Sequence, residues 1–310
     1  MKPVLLVLIA LSEPMLAQLR ERFELHYAPT AQRRVDEIQT HGTRIEVVLT
    51  NGATGLRADE IDAMPRLRLA CAWGAGHENL ARDHARQRGV VLANGAGTND
   101  DCVADHALAL LLATVRAIPQ LDDACRQGIW RDHLPMRPQL SGKRLGIFGL
   151  GMIGRKIAQR GAAFDLAVGY HNRTPRADLP YRYFDSLIAL AEWCDCLVIA
   201  TPGGAGTKHL IDAAVLKALG PRGFMVNIAR GSVVDTDALA RALRAGELAG
   251  AGLDVYESEP QPPAQLMDLP NVVLTPHIAG WSPESMQASL QCFLDNVELH
   301  FAGQPVRTPI

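Results

Sequence analysis

Residues 142–154 read GKRLGIFGLGMIG: an apolar run, the fingerprint Gly149-Leu150-Gly151-Met152-Ile153-Gly154, then a helix-forming stretch. Strand before and helix after is the setting in which such glycines do chemistry. Gly149 permits a tight turn, Gly151 lets backbone approach a pyrophosphate, and Gly154 allows close helix–strand packing. The free N–H groups and positive dipole end of the following helix suit phosphates. A glycine turn can also exist for backbone reasons alone, but this context predicts a dinucleotide site. The fingerprint begins near the middle of 310 residues, so a separate structure precedes it and two domains are expected.

Other classes fall away on composition. A net charge of -2 gives no basic excess for nucleic acid. The early apolar run, Val4–Leu11, is too short to span a membrane. With Lys2 ahead of it the run mimics a signal peptide, yet it leads into Ser12-Glu13-Pro14 without a small-residue cleavage site, so a buried first strand is expected. The six cysteines, 71, 102, 125, 194, 196 and 292, are scattered, mostly in apolar surroundings. Cys194-Asp195-Cys196 has no second pair or histidine at zinc spacing, so no metal site is expected, and a reducing, cytoplasmic setting fits.

Along the first third, strands are predicted at 4–11, 45–50, 67–73 and 90–93, with helices near 14–22, 31–40, 58–62 and 80–88. Residues 101–117 form an apolar helix that Pro119 closes off, suited to burial between domains. Beyond Gly142, strands are predicted at 144–148, 166–170, 196–200, 224–228, 250–254 and 272–275, mostly separated by helical sequence. A last helix, 282–301, returns to the first domain. The expectation is an α/β protein with two parallel-sheet domains: residues 1–98 with 283–310, and an inserted 99–282. A cleft between them is where a small substrate is expected.

The second strand of such a domain normally ends on an acid that binds the ribose 2′-hydroxyl. Here it ends His171-Asn172-Arg173-Thr174, and no acid comes before Asp178. Asn172 does not repel a 2′-phosphate, Arg173 can pair with one, Thr174 adds a hydroxyl, and Arg176 is nearby. The alternative is a solvated basic loop. NADP(H) is expected over NAD(H), with NAD(H) still admissible.

Three later strand ends carry polar residues: Asn227-Ile228-Ala229-Arg230-Gly231, then Asp254-Val255-Tyr256-Glu257-Ser258-Glu259-Pro260, then Thr275-Pro276-His277-Ile278-Ala279-Gly280. Each alone reads equally as structure; three at successive strand ends point to a site.

Together with GLGMIG, the segments NIARGSVVDTDAL, AGLDVYESEP and LTPHIAG make the chain resemble the D-isomer-specific 2-hydroxyacid dehydrogenases over essentially its whole length. The resemblance implies a catalytic domain from both chain ends and an inserted nucleotide domain. It implies that Arg230 grips the substrate carboxylate and polarises its carbonyl, that His277 is the general acid, and that Glu259 orients His277. Glu257 competes for that last role, but the family's acid directly precedes the proline. Asp254 is implied near the nicotinamide, in cofactor binding and electrostatics.

The loop Trp73, Gly74, Ala75, Gly76 resembles the family's carboxylate-binding loop, and Asn51 either lines the same cleft or makes a simple turn. Thr98, Val103, Thr201, Pro202, Thr207, Ile228, Ala229 and Gly280 are implied at the cofactor. The chain departs from the family at His77, often Tyr in relatives, and at Thr201-Pro202-Gly203-Gly204, often Pro-Leu-Thr. Trp281 is placed to narrow the pocket or to make a domain contact, and Trp130 resembles a dimer-contact position, so a homodimer is implied. The implied activity is NADPH-dependent reduction of a small 2-keto acid, such as glyoxylate or hydroxypyruvate, to a D-2-hydroxy acid. A phosphoglycerate-type or sugar-acid dehydrogenase is the alternative enzyme, and a corepressor-like nucleotide sensor the non-enzymatic one.

Overall fold

Short runs of β-branched and aliphatic residues, each followed by a helical segment, build two parallel sheets in the computed structural model, which describes residues 2–176 and 178–310. The chain divides into two units, Met1–Asn99 with Trp281–Ile310, and Asp100–Gly280.

The first unit runs β1 (Val4–Val7), α1 (Glu13–Arg22), β2 (Glu24–Tyr27), α2 (Ala31–His41), β3 (Val47–Thr50), α3 (Ala58–Asp62), β4 (Leu69–Ala72), α4 (Arg82–Gln87) and β5 (Val91–Ala93). Its five strands lie in the order β2-β1-β3-β4-β5. Strands β1, β3 and β4 are buried along their whole length, as continuous apolar runs in a parallel sheet should be.

The second unit runs α5 (Asp100–Arg116), α6 (Ile118–Arg126), β6 (Arg144–Phe148), α7 (Met152–Ala163), β7 (Ala167–His171), β8 (Arg182–Phe184), α8 (Leu187–Trp193), β9 (Cys196–Ile199), α9 (Ala213–Leu219), β10 (Phe224–Asn227), α10 (Thr236–Arg244), β11 (Gly250–Leu253) and β12 (Val272–Leu274). Its seven strands are ordered β12-β11-β10-β9-β6-β7-β8. The order reverses between β6 and β9, so ligands are expected beyond the carboxyl ends of those strands. Helix α5 packs on β10, β11 and β12, with Ala104, Ala107 and Leu111 wholly or almost wholly buried.

The last helix, α11 (Pro283–Phe301), opens on a Ser282 capping box and joins the first unit's core, where Leu290 and Phe293 pack with Leu5, Leu19 and Leu49. Behind it Asn296 Oδ1 accepts from Arg307 N at 2.8 Å, which ties down the chain end.

Four elements depart from the sequence expectation. β2 and β8 are edge strands of half-buried, polar composition, ELHY and RYF, which show no apolar run. Pro119 does not merely close a helix: it occupies the first turn of α6, where its missing N–H costs nothing, after Ala117 turns the chain at φ 51°. The first strand is also shorter than predicted, ending at Val7 although burial continues through Ile9.

All six cysteines are free; four are buried, Cys102 is half-buried and Cys125 is exposed. Burial pushes the Cys194 and Cys196 thiols up to about 12, which keeps them neutral. Among the described residues, no single helix is long and apolar enough to cross a membrane.

A buried ion pair anchors the loop after β3. Arg34 of α2 and Glu60 of α3 are 8% and 4% exposed, and the guanidinium also donates to Thr54 O and Gly55 O. Arg34→Met leaves Glu60 with Arg57 alone, whose guanidinium lies 3.0 Å and backbone N–H 2.8 Å from it, and strips the donor from Thr54 O and Gly55 O; a loss of about 1–3 kcal/mol is expected, read by urea denaturation.

Candidate active site

The glycine loop is a preformed cradle. Gly149 lies at φ 103°, and a Cβ there would stand 2.6 Å from Thr201 N; a Cβ on Gly154 would stand 2.1 Å from Gly149 O. The protein's own packing therefore demands both. Gly151 meets nothing within 4 Å, so its lack of a side chain leaves the start of α7 open. Gly151 is the N-cap and offers no side-chain cap, so first-turn N–H groups at Met152 and Ile153 remain for an anion. Leu150 is wholly buried, and its N–H is taken at 2.7 Å by Asn172 Oδ1. The donor set and the bare backbone fit a dinucleotide pyrophosphate.

Asn172 thus ties the end of β7 to the glycine loop. Arg173 and Thr174 beyond it are exposed, and among the described residues Arg173 makes no ion pair. Asp178, the first acid, is occupied at 3.2 Å by both Arg155 and Arg176. Across the switch point, Thr207 fastens its own loop by donating to Pro202 O at 2.9 Å, with Thr201 against Gly149.

The end of β10 is shaped by Asn227, which sequence reasoning left without a role. Its side chain is wholly buried, accepts from Ala229 N and donates to Arg230 O, both at 3.0 Å. Ile228 and Ala229 are buried, and Arg230 donates back to Ala229 O at 2.6 Å. A Cβ on Gly231 would fall 1.9 Å from the Tyr256 carbonyl carbon. That glycine lets the Arg230 turn press against the backbone that carries Glu259.

The end of β11 turns inward. Asp254 is 1% exposed, its Oδ1 accepting from Thr275 Oγ1 at 2.7 Å and Ile278 N at 2.9 Å, its Oδ2 from Ala279 N at 2.9 Å. Its backbone oxygen accepts from His277 N at 2.8 Å. His277 is held at φ 54°, a left-handed conformation that costs a histidine energy unless its surroundings fix it. Asp254 is thus the anchor of the turn that carries His277 and ends at Gly280, a task its expected place at the cofactor did not reveal. Tyr256 adds a second tie, donating from its hydroxyl to Thr275 O at 2.6 Å and from its N–H to Glu259 Oε1 at 2.8 Å.

His277 Nδ1 and Glu259 Oε2 lie 2.7 Å apart. Glu257 is engaged elsewhere, by His209 at 2.6 Å and Thr236 Oγ1 at 2.8 Å. Burial works to raise the Glu259 pKa, but the hydrogen bonds from His277 and Tyr256 N, with the charges of His277 and Arg230, hold it below the usual carboxylate value. The Glu259 hydrogen bond raises His277 above an ordinary histidine; burial and the Arg230 charge oppose this, and the Glu259 and Asp254 charges reinforce it.

In the first unit, Asn51 Oδ1 accepts from Thr54 N at 2.7 Å, closing a turn after β3. Ala75 O is held by Asn94 Nδ2 at 2.9 Å, and Gly74 O by Gly95 N at 2.9 Å. Gly74 has open space where a Cβ would stand, whereas a Cβ on Gly52 would stand 2.7 Å from the Gly76 carbonyl carbon. Trp73 Nε1 is buried with no hydrogen-bond partner among the described residues. Two residues expected at the cofactor are engaged within their own units. Thr98 Oγ1 meets Gly95 O at 2.7 Å and Ser289 Oγ at 2.8 Å, and Val103 is 5% exposed in the second core.

Residues 108–279 match the family model described as D-isomer specific 2-hydroxyacid dehydrogenase, NAD binding domain. The chain is 37% identical over 294 residues to hydroxyphenylpyruvate reductase of Plectranthus scutellarioides, spanning 94% of each chain. It is 35% identical over 294 residues, again 94% of each, to a glyoxylate/hydroxypyruvate reductase of Arabidopsis thaliana. Among solved structures, the NADPH-dependent glyoxylate/hydroxypyruvate reductase of Sinorhizobium meliloti, in complex with NADP and malonate, superposes with a TM-score of 0.89 at 36% identity, over 100% of this chain and 97% of that one.

The electrostatics yield a check that needs no substrate. Followed by NMR, the His277 ring should titrate above an ordinary histidine, and Glu259→Gln should lower its pKa, because the oriented carboxylate is the first cause of the rise.

Proposed function

The chain belongs to the D-isomer-specific 2-hydroxyacid dehydrogenases, NAD(P)-dependent oxidoreductases, and we propose that within that family it reduces small 2-keto acids of the glyoxylate and hydroxypyruvate type with NADPH. The reading is carried above all by the His277–Glu259 pair at 2.7 Å, set in the field of Arg230 at the ends of successive strands of the nucleotide unit.

Arg230 presents a planar, permanently charged fork, which suits bidentate capture of a keto-acid carboxylate and draws electron density from the neighbouring carbonyl. The His277 Nδ1 position is taken by Glu259, so Nε2 is left as the proton donor toward the carbonyl oxygen. Glu259 stays ionised beside it and stabilises the imidazolium until the proton leaves. A nicotinamide held there would supply the hydride for the carbonyl carbon. Residues Gly149–Gly154, Arg173 and Thr174 would hold the dinucleotide, with the Arg173 guanidinium toward the 2′-phosphate. In the first unit, the small residues of the Gly74–Gly76 loop suit a close backbone approach to a carboxylate. Protein partners are proposed as a second copy of the chain: Ile129, Trp130 and Met136 are 38%, 65% and 100% exposed on the segment after α6.

Initial rates with both cofactors on glyoxylate, hydroxypyruvate, hydroxyphenylpyruvate, pyruvate and 2-ketogluconate test the reading. NADPH-dependent turnover is expected, with His277→Ala losing about a hundredfold or more in kcat; cofactor binding without turnover on any keto acid would sink it. Arg173→Ala should raise KM for NADPH about tenfold while leaving NADH nearly unchanged, since a charged hydrogen bond contributes about 1.5–3 kcal/mol. In reduction, activity should fall as pH rises through the elevated His277 pKa, and Glu259→Gln should bring that fall to lower pH. Sedimentation velocity should give a dimer, weakened by Trp130→Ser.

A further inference from the structure

We propose that His106, on α5, is a positioning residue for His277, acting through Thr275 and Asp254; the inference rests on the reading of His277 as the proton donor. His106 Nε2 lies 2.9 Å from Thr275 Oγ1, a contact across 169 residues of sequence. The Thr275 hydroxyl has one proton, and it goes to Asp254 Oδ1 at 2.7 Å. Thr275 must therefore accept from His106, which fixes the proton on Nε2. The same nitrogen stands 3.5 Å from Asp254 Oδ1, so its N–H also faces the buried carboxylate.

From there the chain of contacts is continuous. Asp254 accepts from Thr275 Oγ1, Ile278 N, Ala279 N and, through its backbone oxygen, His277 N. These four bonds hold the turn that keeps His277 at φ 54°. A non-glycine residue in that region persists only where its neighbours over-determine it. His106 supplies the outermost of those constraints. Its helix is itself fixed, because Ala104, Ala107, Leu110 and Leu111 on either side are buried in the second unit's core. The charged groups that bear on the His277 ring are Glu259, Arg230 and Asp254, so a carboxylate that shifts also changes the field at the ring.

Without the imidazole, the Thr275 hydroxyl loses its donor and gains freedom to turn from Asp254 Oδ1, which loosens one of the three bonds that hold that carboxylate. The His277 ring then drifts from the Glu259 oxygen, and a displacement of this order at the reacting group costs about ten- to a hundredfold in rate. Glutamine in the same place reaches Thr275 with an amide N–H and should restore the link.

The experiment compares wild type, His106→Ala, His106→Gln and the pair His106→Ala/Thr275→Val. It measures kcat and both KM values, the melting temperature, and the His277 ring titration by NMR without substrate. His106→Ala should lower kcat at least tenfold with KM values changed less than about twofold, as expected for a group acting on the transition state. It should also lower the His277 pKa, His106→Gln should recover both, and the double variant should lose no more than the single one. A wild-type kcat and ring titration in His106→Ala overturns the proposal. So does an equal loss in the Ala and Gln variants that tracks melting temperature, which would mark His106 as packing only. Failure of the functional reading is distinguishable: the wild type itself would then turn over no keto acid, while the ring titrations would still decide the coupling.

Discussion

A carboxylate placed where water cannot reach it, Asp254 at 1% exposure, sets the conformation of everything around the proposed proton donor. Such a group is tolerated only if its lone pairs are filled, since an unpartnered buried charge costs several kcal/mol. Here the partners are the backbone N–H groups of Ile278 and Ala279 and the Thr275 hydroxyl. The need runs both ways: the carboxylate requires donors, and the turn requires an acceptor to hold His277 at positive φ. Removing either side leaves the other unsatisfied, so the turn behaves as one unit rather than as a set of separable bonds.

Around that anchor the site sets opposing fields against each other. Burial would neutralise both Glu259 and His277, yet each is the other's counter-charge, and the carboxylate also takes the Tyr256 N–H. Arg230 favours the ionised Glu259 and disfavours the protonated His277, so its charge works against the carboxylate at the ring. The Gly231 contact with the Tyr256 backbone makes this balance possible, because no side chain keeps the two strand-end loops apart.

The parts legible in the sequence are those whose physics is local. An apolar run before GLGMIG and polar residues after successive apolar strands each carry their meaning within about ten residues. The parts that escaped are of two kinds. The edge strands β2 and β8 lack an apolar pattern because half of each strand faces water, and Pro119 is ambiguous because a proline both stops a helix and starts one. The braces escaped for another reason. His106, Asn227 and Tyr256 do their work through partners that only folding brings together, and His106 reads as one more helical residue until Thr275 stands beside it. Asp254 was legible as important but not as an anchor, since burial cannot be read from a motif.

Asn172 shows how one position can meet two demands. Its Oδ1 holds the Leu150 N–H, which joins the end of β7 to the glycine loop and so helps set the cradle. An aspartate could accept the same bond, because the bond needs an oxygen and not a charge. What differs is the field beyond it: an aspartate places a negative charge where a 2′-phosphate would come, and asparagine places none. The structural duty therefore leaves the electrostatic one free to vary. The Asp178 carboxylate is already neutralised by Arg155 and Arg176, so it does not restore the missing charge, and Arg173 remains without an ion-pair partner among the described residues. A cradle braced by a neutral side chain, beside an exposed guanidinium, is the physical basis of the proposed preference for the phosphorylated cofactor.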